Sequence, residues 1–172
     1  MEKFSLRRKP RKSAISASRG ASRERTPLRQ NTDSNPPVSS FPDGVKVLHD
    51  CPSATVDICF VHGLTGDRES TWTARGHSTP WPQRLLPPNL PQARIITYGY
   101  DAYITRKSVA SSNRLVDHAT NLLNDLTDDR NSVNASSRPL IFVAHSLGGL
   151  VCKKTILLSR HNPDHHLRGI FV

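Results

Sequence analysis

The sequence predicts an α/β fold in which helices flank a mostly parallel sheet. From residue 45 onward, short apolar runs alternate with helical patterns, as expected for β-α-β units. The apolar runs are nearly continuous, which is typical of strands that are buried on both faces of a sheet. Large apolar residues are almost absent before residue 42. We therefore divide the chain into a disordered tail, residues 1–42, and one folded domain, residues 43–172.

Five apolar runs are predicted to form the strands of this sheet. The first is an edge strand, the second ends in His-Gly, and the last is the beginning of a fifth strand. Between the second and third runs, five prolines within residues 79–91 permit only a short helix that begins at a proline, with Trp81 in the core. The runs span residues 45–49, 56–61, 94–98, 140–144 and 169–172.

Two longer helices are predicted. Apolar residues follow helical spacing from Val109 to Leu126, with polar residues on the other side, and this pattern indicates a crossover helix. The next segment, residues 128–138, is polar and is expected to be a loop. The second helix is predicted from Leu147 to about Ser159.

The tail is basic. The first 40 residues contain ten Lys or Arg against three acidic residues, which accounts for +7 of the net charge of +10. The folded part is close to neutral, which argues against a nucleic-acid-binding face there. The tail is open to several interpretations: a plain solvated segment, an organelle-targeting presequence, a nuclear localisation signal at residues 7–12, or a patch for a polyanion or anionic lipid. Pro10 and Pro27 interrupt any amphipathic helix in it.

The cysteines argue against both a disulfide framework and a metal site. Cys51, Cys59 and Cys152 have no paired spacing, and two of them lie in apolar runs, as buried thiols of an intracellular protein do. We therefore predict no metal and no cofactor. No apolar stretch approaches the roughly 20 residues that span a bilayer. The sequence predicts a soluble protein, held on a membrane at most by its tail or a partner.

The most informative segment is residues 139–151, an apolar strand followed by a turn of small residues with a serine and then an apolar helix. This order is typical of the nucleophile elbow of an α/β hydrolase, with Ser146 as the nucleophile. Residues two before and two after the serine must be small, and Ala144 and Gly148 meet that demand. Gly149 is expected to permit close helix packing. Alanine replaces the first glycine of the GxSxG pattern, and the alternative is a fortuitous Ser-Leu-Gly-Gly turn.

A serine nucleophile needs donors for the developing oxyanion. The backbone N–H of Leu147 is one candidate. The turn after the second strand, which contains Gly63 and Gly66, supplies Leu64 as the second, although such a turn also serves as a plain β-to-α connection. His62 and His145 are rejected as bases. His145 adjoins the serine with its ring directed away, and His62 belongs to a turn whose backbone is the useful part.

Three strings, DICFVHGLTGD, RIITYGYDA and LIFVAHSLGGLVCKK, are similar to the α/β-hydrolase domain of the serine-active-site-containing protein family and its fungal relatives, lipase-like modules N-terminal to NACHT or repeat domains. The resemblance covers residues 45–172. It implies a serine ester hydrolase acting on an ester or lipid; one branch is tied to phosphatidylglycerol remodelling at mitochondria and endoplasmic reticulum, which implies peripheral membrane association. Ser146 resembles the nucleophile, and Leu64 and Leu147 resemble the oxyanion donors. Tyr98, Tyr100 and Asp101 resemble the pocket rim, where ordinary packing is an equal alternative.

The remaining triad members are not evident. In this fold the acid and histidine follow the serine on later strands. Asp164, His161, His165 and His166 follow Ser146, but a helix rising about 1.5 Å per residue carries them to the opposite end of the sheet. We therefore expect the N-terminal half of a hydrolase domain, truncated and inactive alone. The alternatives are a non-catalytic N-terminal recruitment or signalling module and, more remotely, a polyanion-binding protein.

Overall fold

The computed structural model describes residues 42–102, 111–162, 167 and 170–171. The predicted tail lies outside the described residues except for Pro42. Within the described residues, the strands form one five-stranded sheet in the order β1-β3-β2-β4-β5. The strands are β1 Gly44–His49, β2 Val56–Val61, β3 Ala93–Gly99, β4 Leu140–Ala144 and β5 Ile170–Phe171.

The sheet is mostly parallel. β1 runs antiparallel to β3 at one edge, whereas β2 pairs in parallel with both β3 and β4, and β4 pairs in parallel with β5. An antiparallel edge strand on an otherwise parallel sheet is common in α/β proteins. The predicted α/β class and the predicted edge strand are therefore confirmed.

Apolar side chains cover both faces of the sheet. On one face they pack against the helices α2, Ser111–Ser132, and α3, Leu147–His161. On the other face Phe60 makes edge-to-face contacts with Trp72 and Trp81, with ring centroids 5.0 and 5.5 Å apart. The proline-rich stretch forms the short helix α1, Trp81–Leu85, with Pro82 in its first turn, and Trp81 packs against the core. Both expectations for this stretch are confirmed.

The expected loop at residues 128–138 is wrong in its first part, because α2 continues to Ser132. Arg130 explains the difference: its side chain is buried, and its Nη2 donates to the carbonyl of Ala135 at 2.9 Å. Its Nε lies 3.1 Å from the Asp57 carboxylate. Neighbouring Asp129 accepts two hydrogen bonds from Arg94, at 2.7 and 3.0 Å. Asp129 and Arg130 therefore form ion pairs with Arg94 and Asp57, and these contacts hold the last turn of α2 in helical form.

The parallel pairing determines where the turns lie. Val61 at the end of β2 is paired with Ala144 at the end of β4, so the turns that follow these strands meet at one edge of the sheet. The N–H of His145 donates to the Val61 carbonyl at 3.0 Å, and this hydrogen bond joins the turn after β4 to the end of β2. Over the described part of the chain, no helix combines the length and apolarity needed to cross a bilayer.

Candidate active site

Ser146 lies on a strained turn between β4 and α3. Its φ of 52° and ψ of −119° make it one of two non-glycine residues with positive φ among those described. Such a conformation costs on the order of 1–3 kcal/mol and persists only where the surroundings impose it. The residue is exposed, and its hydroxyl makes no hydrogen bond within the described part of the chain. Strain and exposure together are what a nucleophile elbow requires.

Gly148 is the residue that lets this turn approach β2. A Cβ at position 148 would lie 2.4 Å from the His62 carbonyl oxygen and 2.5 Å from that of Val61. Only a residue without a side chain fits there. Gly149 is different, because a Cβ at that position would meet no described atom within 4 Å. The expectation that Gly149 permits close helix packing is therefore wrong, since the close approach occurs at Gly148.

The turn after β2 lies directly against the serine. A Cβ on Gly63 would be 2.9 Å from the Cβ of Ser146 and 2.9 Å from the carbonyl oxygen of His145. Farther along the turn, Gly66 has a φ of +102°, which favours glycine. Leu64 is partly buried against the core, and so is Leu147. Leu147 is the first residue of α3, so its N–H has no partner within the helix.

The His62 side chain has a structural role that the sequence interpretation did not assign to it. The ring is buried, its Nδ1 lies 2.8 Å from the Gly63 carbonyl oxygen, and its Nε2 accepts from the Tyr100 N–H at 3.2 Å. With both nitrogens bonded to the backbone, this ring is unsuited to act as a base for Ser146. His145 is exposed and makes no hydrogen bond to the Ser146 hydroxyl among the described residues.

The residues predicted as the pocket rim lie at the end of β3 and just after it. Tyr98 and Tyr100 are 2% and 3% exposed and belong to the core, and burial raises the pKa of both hydroxyls. With Asp101 they border a cleft of about 260 Å³. The cleft follows β3, which is two strands from β4 and hence about 10 Å away. The two tyrosines therefore pack in the core and also border a cleft, and their role as a pocket rim stays a prediction.

The described residues do not bring a triad together. His161 ends α3, about 20 Å along the helix from Ser146, and its Nδ1 donates to the Leu157 carbonyl at 2.7 Å. Asp164, His165 and His166 lie outside the described residues. Within the described ranges, no group of three or more His, Cys, Asp or Glu side chains is arranged to hold a metal ion.

Acidification is expected to lower the free energy of unfolding. Burial lowers the pKa of His62 and of the partly buried His118, from an ordinary value of 6.5. The unfolded chain therefore takes up these protons more readily. The contribution of these two histidines to the free energy of unfolding is fully present above pH 6.5, their ordinary pKa. It declines as the pH falls below 6.5 toward their lowered pKa values in the folded state.

Urea unfolding at about pH 7.5 and about pH 5.5 measures this effect. Asp125 acts in the opposite direction, because burial raises the pKa of its carboxyl, so the comparison is made in wild type and in Asp125→Asn. A free energy of unfolding that is flat or higher at the lower pH in both proteins would contradict the prediction.

Ser146 is strained and exposed, and it lies where a parallel strand passes into a helix. This arrangement is typical of serine hydrolases, so the α/β domain is serine-hydrolase-like. No protein-family model matches the chain. The chain is homologous to Protein SERAC1, a serine-active-site-containing protein. Identity is 28% over 173 residues to the Mus musculus protein, 30% over 158 to that of Danio rerio, and 27% over 173 to that of Homo sapiens.

These alignments cover 81%, 78% and 81% of this chain. They cover only 25%, 23% and 25% of the relatives, so the chain spans about a quarter of their length. The homology supports the serine-hydrolase-like part of the resemblance seen in the sequence. The likeness to fungal lipase-like modules stays a prediction.

Proposed function

We propose that this chain supplies the nucleophile and the oxyanion site of a serine ester hydrolase, with Ser146 as the nucleophile. The observation that supports the proposal best is the position of Ser146, exposed at positive φ with Gly63 directly against it. A bulkier residue at position 63 would fill the space beside the hydroxyl. The substrate class is a carboxylic ester, including a lipid ester.

In the proposed reaction the Ser146 oxygen attacks the ester carbonyl and its proton passes to a base. The carbonyl oxygen takes up negative charge, which the N–H groups of Leu147 and Leu64 stabilise. The amino end of α3 adds a favourable partial positive charge. Collapse of the intermediate expels the alcohol and leaves an acyl group on Ser146, which water then removes.

The base and its acidic partner come, in this proposal, from residues outside the described ranges. Within those ranges the Ser146 hydroxyl makes no hydrogen bond to an imidazole or a carboxylate. A site without a triad base keeps only the residual catalysis of its oxyanion hole and binding, about 10³–10⁴-fold over water. We therefore propose that the described part alone hydrolyses esters slowly.

A lipid ester would bring the domain to a membrane surface. The first 40 residues carry a net charge of +7, and each Lys or Arg near an anionic surface contributes roughly 1 kcal/mol of attraction. Peripheral association with a mitochondrial or endoplasmic-reticulum membrane is accordingly part of the proposal. Its support is the family resemblance and the charge of the tail.

Replacement of Ser146 by alanine is expected to abolish covalent labelling by a fluorophosphonate probe, because the attacking oxygen is gone. The experiment uses the native protein, isolated with whatever segments and partners it carries, beside the recombinant chain of residues 1–172. The matched control is Ser137→Ala, which removes another exposed serine hydroxyl far along the sheet. Labelling that persists in Ser146→Ala would contradict the assignment.

A second candidate is a non-catalytic recruitment module that keeps the hydrolase fold. The unbonded Ser146 hydroxyl within the described ranges favours it. The same probe separates the two functions, because a recruitment module would leave native Ser146 unlabelled.

A further inference from the structure

The His62 ring has a defined protonation state. The backbone N–H of Tyr100 can only donate, so the Nε2 that it contacts at 3.2 Å carries no proton. The proton of the neutral ring then lies on Nδ1, which donates to the Gly63 carbonyl oxygen at 2.8 Å. The ring therefore links the turn after β2 to the segment that follows β3.

Tyr100 completes this link from the other side. Its hydroxyl donates to the His62 carbonyl oxygen at 2.9 Å, and its ring stacks on the imidazole with centroids 4.4 Å apart and planes 19° apart. Both side chains are buried. Two hydrogen bonds and one stacked ring pair thus join His62 and Tyr100, which are 38 positions apart in sequence. We refer to His62 and Tyr100 together as the turn clamp.

We propose that the turn clamp is a positioning device that orients the Gly63–Leu64 peptide so that the Leu64 N–H points toward Ser146. A trans peptide is planar, and its C=O and N–H point in opposite directions. The Gly63 C=O is held against the buried ring, so the Leu64 N–H is directed away from it. Gly63 itself borders the exposed Ser146, because a Cβ at position 63 would lie 2.9 Å from the Cβ of Ser146.

This inference rests on the proposed function only for its effect on rate, because the orientation of the peptide is a property of the fold. Protonation of the ring would place a second N–H against the Tyr100 N–H and weaken the clamp. Among the described residues, the carboxylates of Asp67 and Asp43 favour a proton on this ring, and the His118 ring lies 4.8 Å from that of Tyr100. Burial outweighs the two carboxylates, because the pKa of His62 is lowered.

The test compares four variants of the native protein by the rate of fluorophosphonate labelling and of ester hydrolysis. His62→Leu removes both ring hydrogen bonds and is expected to slow labelling about 100-fold, as loss of one oxyanion donor does, with a fall in kcat rather than a rise in KM. His62→Asn keeps a donor in the place of Nδ1 and is expected to recover most of the rate. Tyr100→Phe, which loses one bond, falls between. His118→Asn is the control, expected near wild type.

Two further measurements test the clamp, and the first of them does not depend on the proposed function. In the isotope-labelled chain, the amide resonance of Leu64 is expected to shift in His62→Leu and to stay close to wild type in His62→Asn, whether or not Ser146 reacts. The acidic limb of the pH–rate profile that belongs to His62 is expected to disappear in His62→Asn.

Absence of labelling in wild type would refute the proposed function and leave the clamp to be judged by the Leu64 resonance. An unmoved Leu64 resonance in His62→Leu, or His62→Asn as damaging as His62→Leu, would overturn the clamp. If His62→Leu does not fold, the Leu64 amide resonance and the labelling and hydrolysis rates of Tyr100→Phe and His62→Asn test the clamp instead.

Discussion

Gly148→Ala is expected to destabilise the domain by at least about 2 kcal/mol, because overpacking of a rigid site costs roughly 1–3 kcal/mol or more. The added methyl would lie 2.4 and 2.5 Å from the carbonyl oxygens of His62 and Val61. Both are backbone atoms at the end of a central strand, so neither can swing aside as a flexible side chain would. Equilibrium urea unfolding, followed by circular dichroism, measures the loss.

The matched control is Gly149→Ala, one position along the same helix. A Cβ there meets no described atom within 4 Å, so the change brings the higher helix propensity of alanine without a clash. It is expected to stabilise the domain by up to about 1 kcal/mol. Equal effects of the two substitutions would contradict the close approach assigned to Gly148.

Asp57→Asn is expected to cost about 3–5 kcal/mol, the range for breaking a buried ion pair on one side. The Asp57 carboxylate is fully buried; it accepts from Arg138 Nη1 at 2.8 Å and lies 3.1 Å from Arg130 Nε. The Arg130 contact is not aligned as a hydrogen bond, so it is mainly electrostatic. Removing the charge leaves the guanidinium of Arg130, which is 1% exposed, without its counter-ion.

Glu69→Gln is the control for this second substitution. Glu69 forms an ion pair with Lys46 in which both side chains are 40% exposed, so its loss is expected to cost no more than about 1 kcal/mol. Thermal and urea unfolding of both variants provide the comparison. A loss of stability in Asp57→Asn as small as that in Glu69→Gln would show that the buried cluster does not support the fold.

The strands and the serine turn could be predicted because their signals are local. A strand buried on both faces needs a run of apolar residues, and β2 and β4 begin and end where such runs do. The turn at Ser146 needs small residues at fixed spacing, and these are adjacent in sequence. The close approach at Gly148 follows from the same spacing, although sequence alone did not distinguish Gly148 from Gly149.

Features that depend on distant partners could not be predicted. Arg130 looks like a residue of a polar loop until Asp57, 73 positions earlier, is placed beside it. Likewise His62 and Tyr100 lie on different strand ends, and only the parallel pairing of β2 with β3 brings them together. The sequence signal for this contact was Tyr100, an aromatic residue just after a buried strand, and ordinary packing explains such a residue equally well.

The ionic cluster around Asp57 lies where β2 and β4 begin, and Ser146 lies beyond where they end. Four residues of β2 separate the two places, a span of about 13 Å. At that separation the energetic effects of two substitutions are generally additive. Thermostability could thus be engineered at the amino ends of the strands without altering the reactivity of the hydroxyl at their carboxyl ends.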